Sequence, residues 1–205
     1  MEDQPHHSLD YSQLPDQLKE VYEAIEDELI WLHGRWRLYR QLYGADQETL
    51  DLLNNSAPTF FGMLQFLWLD YVVLEICSLT DPPRSYGRDN LVLRQLYEML
   101  DPQRDADLRR ELRECGRSID EACGKLRMIR NRRIAHKDQR TALGAYQSPI
   151  LGVSRQDVED ALAAMRAYAN NFRMHFLGSE MSYEEFILPD DARSLLNILQ
   201  QVQSQ

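Results

Sequence analysis

The sequence predicts an all-α protein: an antiparallel bundle of four main long helices with short helices between them. Three observations carry this reading. Apolar residues recur at steps of three and four along nearly all of the 205 residues. No segment of any length alternates apolar and polar residues as a strand would, and no internal repeat is present. Glycine (9) and proline (8) are too scarce for a turn-rich β architecture. With 43% hydrophobic and 27% charged residues, one domain of this length can bury a core without disulfides. The three cysteines show no CxxC spacing and read as small buried apolar residues.

Residues 1–13 are acidic and polar, with no apolar stretch of a signal peptide, and read as a disordered tail. Residues 14–205 then form a single helical domain, expected in the cytoplasm. Leu14, Leu18, Val21, Ile25, Leu29, Leu32, Trp36, Tyr39 and Tyr43 make one apolar seam, so residues 15–43 are one amphipathic helix. Pro15 suits its first turn and Gly44 its end. Residues 46–56 suggest a short helix. Residues 59–79 are the most apolar stretch and are long enough to span a bilayer. Gln65, Asp70 and Glu75 lie inside it, and carboxylates in a bilayer cost several kcal/mol each. A central bundle helix, packed nearly all round, is the expectation, with no membrane partner.

Thr80-Asp81-Pro82-Pro83 ends that helix, and residues 81–90 read as a loop. Asp81 reads as a turn cap beside Pro82. Asp89 or Asn90 is placed to cap a helix over 91–100. A long helix follows from about 104 to 137, with its seam at Leu108, Leu112, Cys115, Ile119, Ala122, Leu126 and Ile129. Residues 139–153 hold Gly, Pro and Ser and read as a loop. Ser154, with Asp157 in the first turn, is an N-cap for a helix carrying Val158, Leu162, Met165, Ala169, Phe172 and Phe176 on one face. It ends near Gly178, and a last short helix spans about 190–202.

The net charge of −10 excludes a protein that coats nucleic acid indiscriminately. The charge is uneven, however. Residues 104–140 hold 12 Lys/Arg and seven Asp/Glu, a net of +5, which leaves −15 on the rest. Within that basic island the seam 119, 122, 126, 129 continues to positions 133 and 136. They hold Arg133 and His136 where the pattern calls for apolar residues. A stripe that turns cationic at one end should open onto a cleft or an interface. Cationic neighbours disfavour the charged form of His136, and a neutral imidazole can serve as a general base near pH 7. The bland alternative is a helix-terminal Arg and His set that meets the macrodipole favourably. On a straight helix Arg130 and His136 lie roughly 9 Å apart in rise and about 120° apart in angle. A long arginine side chain could span that gap.

Arg130 to His136 matches the Arg-x(4–6)-His signature of the HEPN superfamily, with Asn131 after the arginine. The string RNRRIAHKD (130–138) resembles the abortive-infection AbiU-type branch. So does the long apolar helix ending in Leu79-Thr80-Asp81-Pro82, followed by Asn90 and Leu91. In that branch an arginine often precedes the Leu-Thr-Asp-Pro string, whereas this chain has Ser78. The resemblance covers roughly residues 15–180. It implies a helical bundle that dimerises, with two signature motifs facing one cleft, and a metal-independent endoribonuclease used in toxin or phage-defence settings.

The resemblance assigns Arg130, Asn131 and His136 to catalysis: His136 as acid or base, Arg130 as phosphate stabiliser, Asn131 as orienting group. Arg132, Arg133 and Lys137 would hold RNA phosphates, with Asp70 and Glu75 as candidate supporting carboxylates. No cofactor and no metal are implied. The implied partners are a second copy, an RNA substrate and a cognate antitoxin. In one branch a tyrosine two residues after the histidine is modified by an antitoxin; here Asp138 stands there, which counts against that regulation. The rival reading is a catalytically silent module of the same fold that binds RNA or a protein partner.

Overall fold

A computed structural model describes residues 14–85, 87–134, 152–185 and 190–203. The expected tail over 1–13, and the stretch 135–151 with most of the expected loop, lie outside the described residues. Pro15 sits at φ −56° and opens α1 (Asp16–Tyr43), its fixed φ being preorganised for a helix start. The Gly44 amide closes that helix on the Arg40 carbonyl. Asp46 caps α2 (Gln47–Ser56) by accepting from the Thr49 amide. Pro58 occupies the permissive first turn of α3 (Pro58–Thr80).

Residues 81–90 depart from the expected loop. They form a two-stranded antiparallel hairpin, β1 (Arg84–Ser85) and β2 (Arg88–Asp89), with Gly87 at φ +77° in the turn. Strands of two residues are too short to show alternation. Asn90 caps no helix. Its side-chain amide donates to the Pro82 carbonyl (2.8 Å) and to Ser85 Oγ (3.0 Å), latching the hairpin shut. The next helix, α4 (Leu93–Met99), starts from Val92 without a side-chain cap.

The helix expected over 104–137 is α5 (Ala106–Ile129), which passes into a π-helical turn at Arg130–Ile134. α6 (Arg155–Leu177) begins with the Ser154–Asp157 capping box and ends at Gly178, in the left-handed region at φ +61°. Asp157 also receives Lys125 Nζ at 2.5 Å, which ties the start of α6 to α5. A 3₁₀ turn (Tyr183–Glu185) precedes α7 (Ala192–Gln203).

α5 and α6 are the closest-packed pair. Their seams meet α1, α4 and the second half of α3 in the main core, where Ile25, Leu29, Val72, Ile76, Leu96, Leu126, Leu162 and Phe172 have no exposed surface. A smaller core joins Leu42, Leu53, Phe61 and Ala192. Inside the main core a polar group spans two helices. Arg173 of α6 donates to Glu26 of α1 at 2.5 Å, and Tyr22 donates to the same carboxylate. Both charged side chains are almost fully buried.

α3 is not packed nearly all round, as its composition suggested. Phe61, Val72, Val73, Ile76, Cys77 and Leu79 are buried, but Phe60, Met63, Phe66, Leu67 and Tyr71 lie outward, Phe66 being 69% exposed. The helix is apolar on every side, so its sequence cannot say which side the bundle covers. It is long and apolar enough to cross a membrane. Spanning would require withdrawing Val72, Val73 and Ile76 from the main core.

His33 of α1 is buried, its Nδ1 2.8 Å from the Leu29 carbonyl oxygen. Burial lowers its pKa to about 4, with Arg166 adding to the effect. The unfolded imidazole titrates near 6.5, so between these values the unfolded chain binds the extra proton. Stability is therefore complete above about pH 6.5 and falls as pH drops towards 4, by up to about 3 kcal/mol. Chemical denaturation of wild type and His33→Phe at pH 7 and pH 4.5 checks this. An unchanged pH dependence in the variant refutes it.

Candidate functional site

The end of α5 and the π turn that continues it carry arginines at every third position: Arg127, Arg130 and Arg133. Residues three apart lie on neighbouring ridges of one face, and all three reach α3 or its C-terminal cap. Arg127 donates to the Thr80 carbonyl (2.8 Å) and to Asp120 (3.0 Å). Arg130 donates to Asp81 at 2.5 Å. Arg133 pairs with Asp70. The Leu-Thr-Asp-Pro string thus has a local physical account. Leu79 is buried, the Thr80 hydroxyl bonds back to the Ile76 carbonyl (2.7 Å), and Pro82 prevents continuation. The freed Thr80 carbonyl and the Asp81 carboxylate then receive two arginines. A carboxylate at a helix C-terminus opposes the dipole, and the Arg130 guanidinium offsets it.

The π turn falls on Arg130–Ile134, inside the signature. Its i→i+5 winding replaces the straight-helix geometry, so the separation expected for an ideal helix does not apply. Asn131 is exposed and accepts from Arg130 Nε at 3.0 Å. Arg132 is half-buried on the same turn. His136 and Lys137 lie outside the described residues, so the structure brings Arg130, Asn131, Arg132 and Arg133 together but does not place these two.

The two candidate supporting carboxylates separate. Asp70 holds Arg133, whereas Glu75 turns away from the motif to Arg35 of α1 at 2.6 Å. Burial pushes the Glu75 carboxyl above its usual range despite that arginine. Asp81, read as a turn cap, is the C-cap residue of α3 and is also the partner of Arg130. The two residues are 49 positions apart, and no periodicity links them. The signal at hand was the placement of Asp81 within the Leu-Thr-Asp-Pro string.

A cleft of about 480 Å³ opens beside Asp81, lined also by Glu28, Glu75, Ser78, Asp89 and Asn90. Three of its four carboxylates are already paired, Glu75 with Arg35, Asp81 with Arg130 and Asp89 with Arg84, so the cleft offers little free charge of either sign. The three cysteines are free, and burial raises their thiols, that of Cys77 to about 12. None has the lowered pKa of a nucleophile. Among the described residues no group of three His, Cys, Asp or Glu is placed to hold a metal ion.

The AbiU2 model of the HEPN families matches residues 15–195. No curated protein and no solved structure matches the chain.

Proposed function

Because the chain belongs to the AbiU2 family of HEPN domains, an abortive-infection-related group, we propose that it is a metal-independent endoribonuclease. The observation that carries this reading is the cationic π turn. Arg130 and Arg133 are fixed there by Asp81 and Asp70, one turn before His136 in sequence. RNA offers a 2′-hydroxyl beside each phosphorus. His136 would take its proton, and the alkoxide would attack phosphorus as the bond to the 5′-oxygen breaks. Arg130 would neutralise the charge that grows on the non-bridging oxygens, with Asn131 orienting it. A second His136, from a second copy, would protonate the leaving oxygen. The products would carry a 2′,3′-cyclic phosphate and a 5′-hydroxyl.

The outward face of α3 supports the second copy. Phe60, Met63, Phe66, Leu67 and Tyr71 form an exposed apolar stripe, and patches of this kind commonly mark interaction sites. Asp70 carries Arg133 between Leu67 and Tyr71, so a copy seated on the stripe would bring two motifs to one cleft. Phe66→Glu with Leu67→Glu is expected to convert the dimer to a monomer in sedimentation velocity, with helicity retained. A wild-type monomer at micromolar concentration, or a dimer that survives both charges, removes this part of the proposal.

A second reading has its own observation. Arg130 and Arg133 are both already bound to carboxylates, Asp81 and Asp70, as arginines with a purely structural role would be. In that reading the module is catalytically silent. The separating experiment incubates mixed RNA with purified protein in EDTA, alongside His136→Ala, and reads product ends by mass spectrometry. Cyclic-phosphate ends from wild type, with cleavage roughly 10²–10⁴-fold slower in the variant, are expected. No cleavage by a folded dimer, or equal cleavage by the variant, transfers the assignment to the silent module.

A further inference from the structure

Asp81 can fix Arg130 only if Asp81 is itself held, and the chain just after it has little means of holding itself. Pro82 and Pro83 follow, and neither has an N–H to donate. Pro82 keeps Asp81 extended, at φ −67° and ψ 168°, outside the helical ladder of α3. Whatever fixes this stretch must donate to its carbonyls from elsewhere in the chain.

Asn90, at the far end of the hairpin, does this. Its backbone N–H donates to the Pro83 carbonyl at 2.8 Å, and its side-chain amide donates to the Pro82 carbonyl, also at 2.8 Å. The same amide donates to Ser85 Oγ at 3.0 Å, and its oxygen accepts from the Ser85 hydroxyl at 3.2 Å. Four consecutive residues are thereby gripped from two sides. Arg127 donates to the Thr80 carbonyl and Arg130 to the Asp81 carboxylate, while Asn90 donates to Pro82 and Pro83. The position calls for donors and an acceptor together on a short stem, which is the asparagine amide. An aspartate of the same shape has no donor and would set a carboxylate oxygen against the Pro82 carbonyl.

We propose that Asn90 is a positioning residue for Arg130, acting through Pro82 and Asp81. A carboxylate on an unanchored loop follows the guanidinium it meets. A carboxylate on an anchored loop decides where that guanidinium lies. The hairpin is then the buttress of the cationic turn, although none of its residues belongs to the signature. The effect on catalysis rests on the ribonuclease reading, whereas the mechanical tether does not.

Two measurements on the full chain test this. The first needs no RNA. It follows the Nε–H resonance of Arg130 in heteronuclear NMR spectra, assigned with Arg130→Lys. That Nε donates to Asn131 at 3.0 Å, so the wild type should show a distinct signal. In Asn90→Ala, and in the isosteric Asn90→Asp, the signal should broaden or move to the position of free arginine. The signal of Arg104, whose Nε donates to Asp105 at 2.9 Å, should stay in place. The second measurement is RNA cleavage in EDTA. Each variant should lower kcat about tenfold with KM within about twofold, since misplacing a catalytic group slows the chemistry and not the binding. Asn90→Ala joined to Asp81→Asn should be no slower than Asp81→Asn alone. The proposal is overturned by an Arg130 signal unchanged in both folded variants, by additive losses in the double variant, or by a loss confined to KM. An altered Arg130 signal with no cleavage by the wild type upholds the tether and removes the ribonuclease reading instead.

Discussion

RNA cleavage by Arg130→Ala is expected to fall roughly 10²–10³-fold below wild type, the usual cost of removing one donor to a developing oxyanion. The melting temperature should barely move. The Arg130–Asp81 pair is partly exposed, at 20% and 30% of the two side chains, and pairs of that kind contribute little to stability. Arg130→Lys should recover only a small part of the rate. An ammonium is a point charge and cannot reproduce the planar fork that reaches Asp81 and Asn131 and, in the proposed reaction, would also meet a phosphate. Asp81→Asn gives the sharper test. Asp81 acts through Arg130, so its substitution should cost less than Arg130→Ala. The double variant should be no slower than Arg130→Ala alone. Additive losses, measured with one RNA in EDTA, would mean that Asp81 has a separate role and that the tether is not its function.

Arg173→Ala is expected to destabilise the fold by about 3–5 kcal/mol, because it leaves the Glu26 carboxylate buried without its countercharge. For a chain of this size that lowers the melting temperature by roughly 10 °C. Replacing both partners, Arg173→Met with Glu26→Leu, should restore most of the loss. Buried ion pairs exchanged for apolar residues of similar volume are commonly neutral or stabilising. Thermal unfolding of wild type, Arg173→Ala and the double variant decides the matter. A double variant no more stable than Arg173→Ala would show that the Tyr22 hydroxyl, which donates to the same carboxylate, is what the pair serves.

The helices were legible because their seams are periodic and their ends are chemically marked. Pro15 opens α1, Ser154 and Asp157 open α6, and Gly178 closes it. What periodicity does not encode is orientation and long-range pairing. Phe66 and Val72 are equally apolar, yet one is exposed and the other buried, since α3 offers the bundle any side. Arg84 to Asp89 form a hairpin through backbone bonds and Gly87, which an apolar pattern does not report. At the candidate site, Arg130, Asn131, Arg132 and Arg133 stood out as cations at the end of a greasy stripe. Of their anchors, Asp70 was among the candidate supporting carboxylates, whereas Asp81 was read only as a turn cap. Asp70 and Glu75 were equivalent as carboxylates in one helix, five residues apart, and only packing sends one to Arg133 and the other to Arg35.

The π turn at Arg130–Ile134 makes the motif a question of register. Such a turn accommodates one residue more than an α-helical ladder. Deleting a single residue there would leave composition, charge and the apolar seam of α5 almost untouched. The deletion would return the segment to α-helical winding, about 100° per residue, and change which of Arg130 to Arg133 meet Asp81 and Asp70. The chain would keep its letters and lose their alignment, as a gear does when it slips by one tooth.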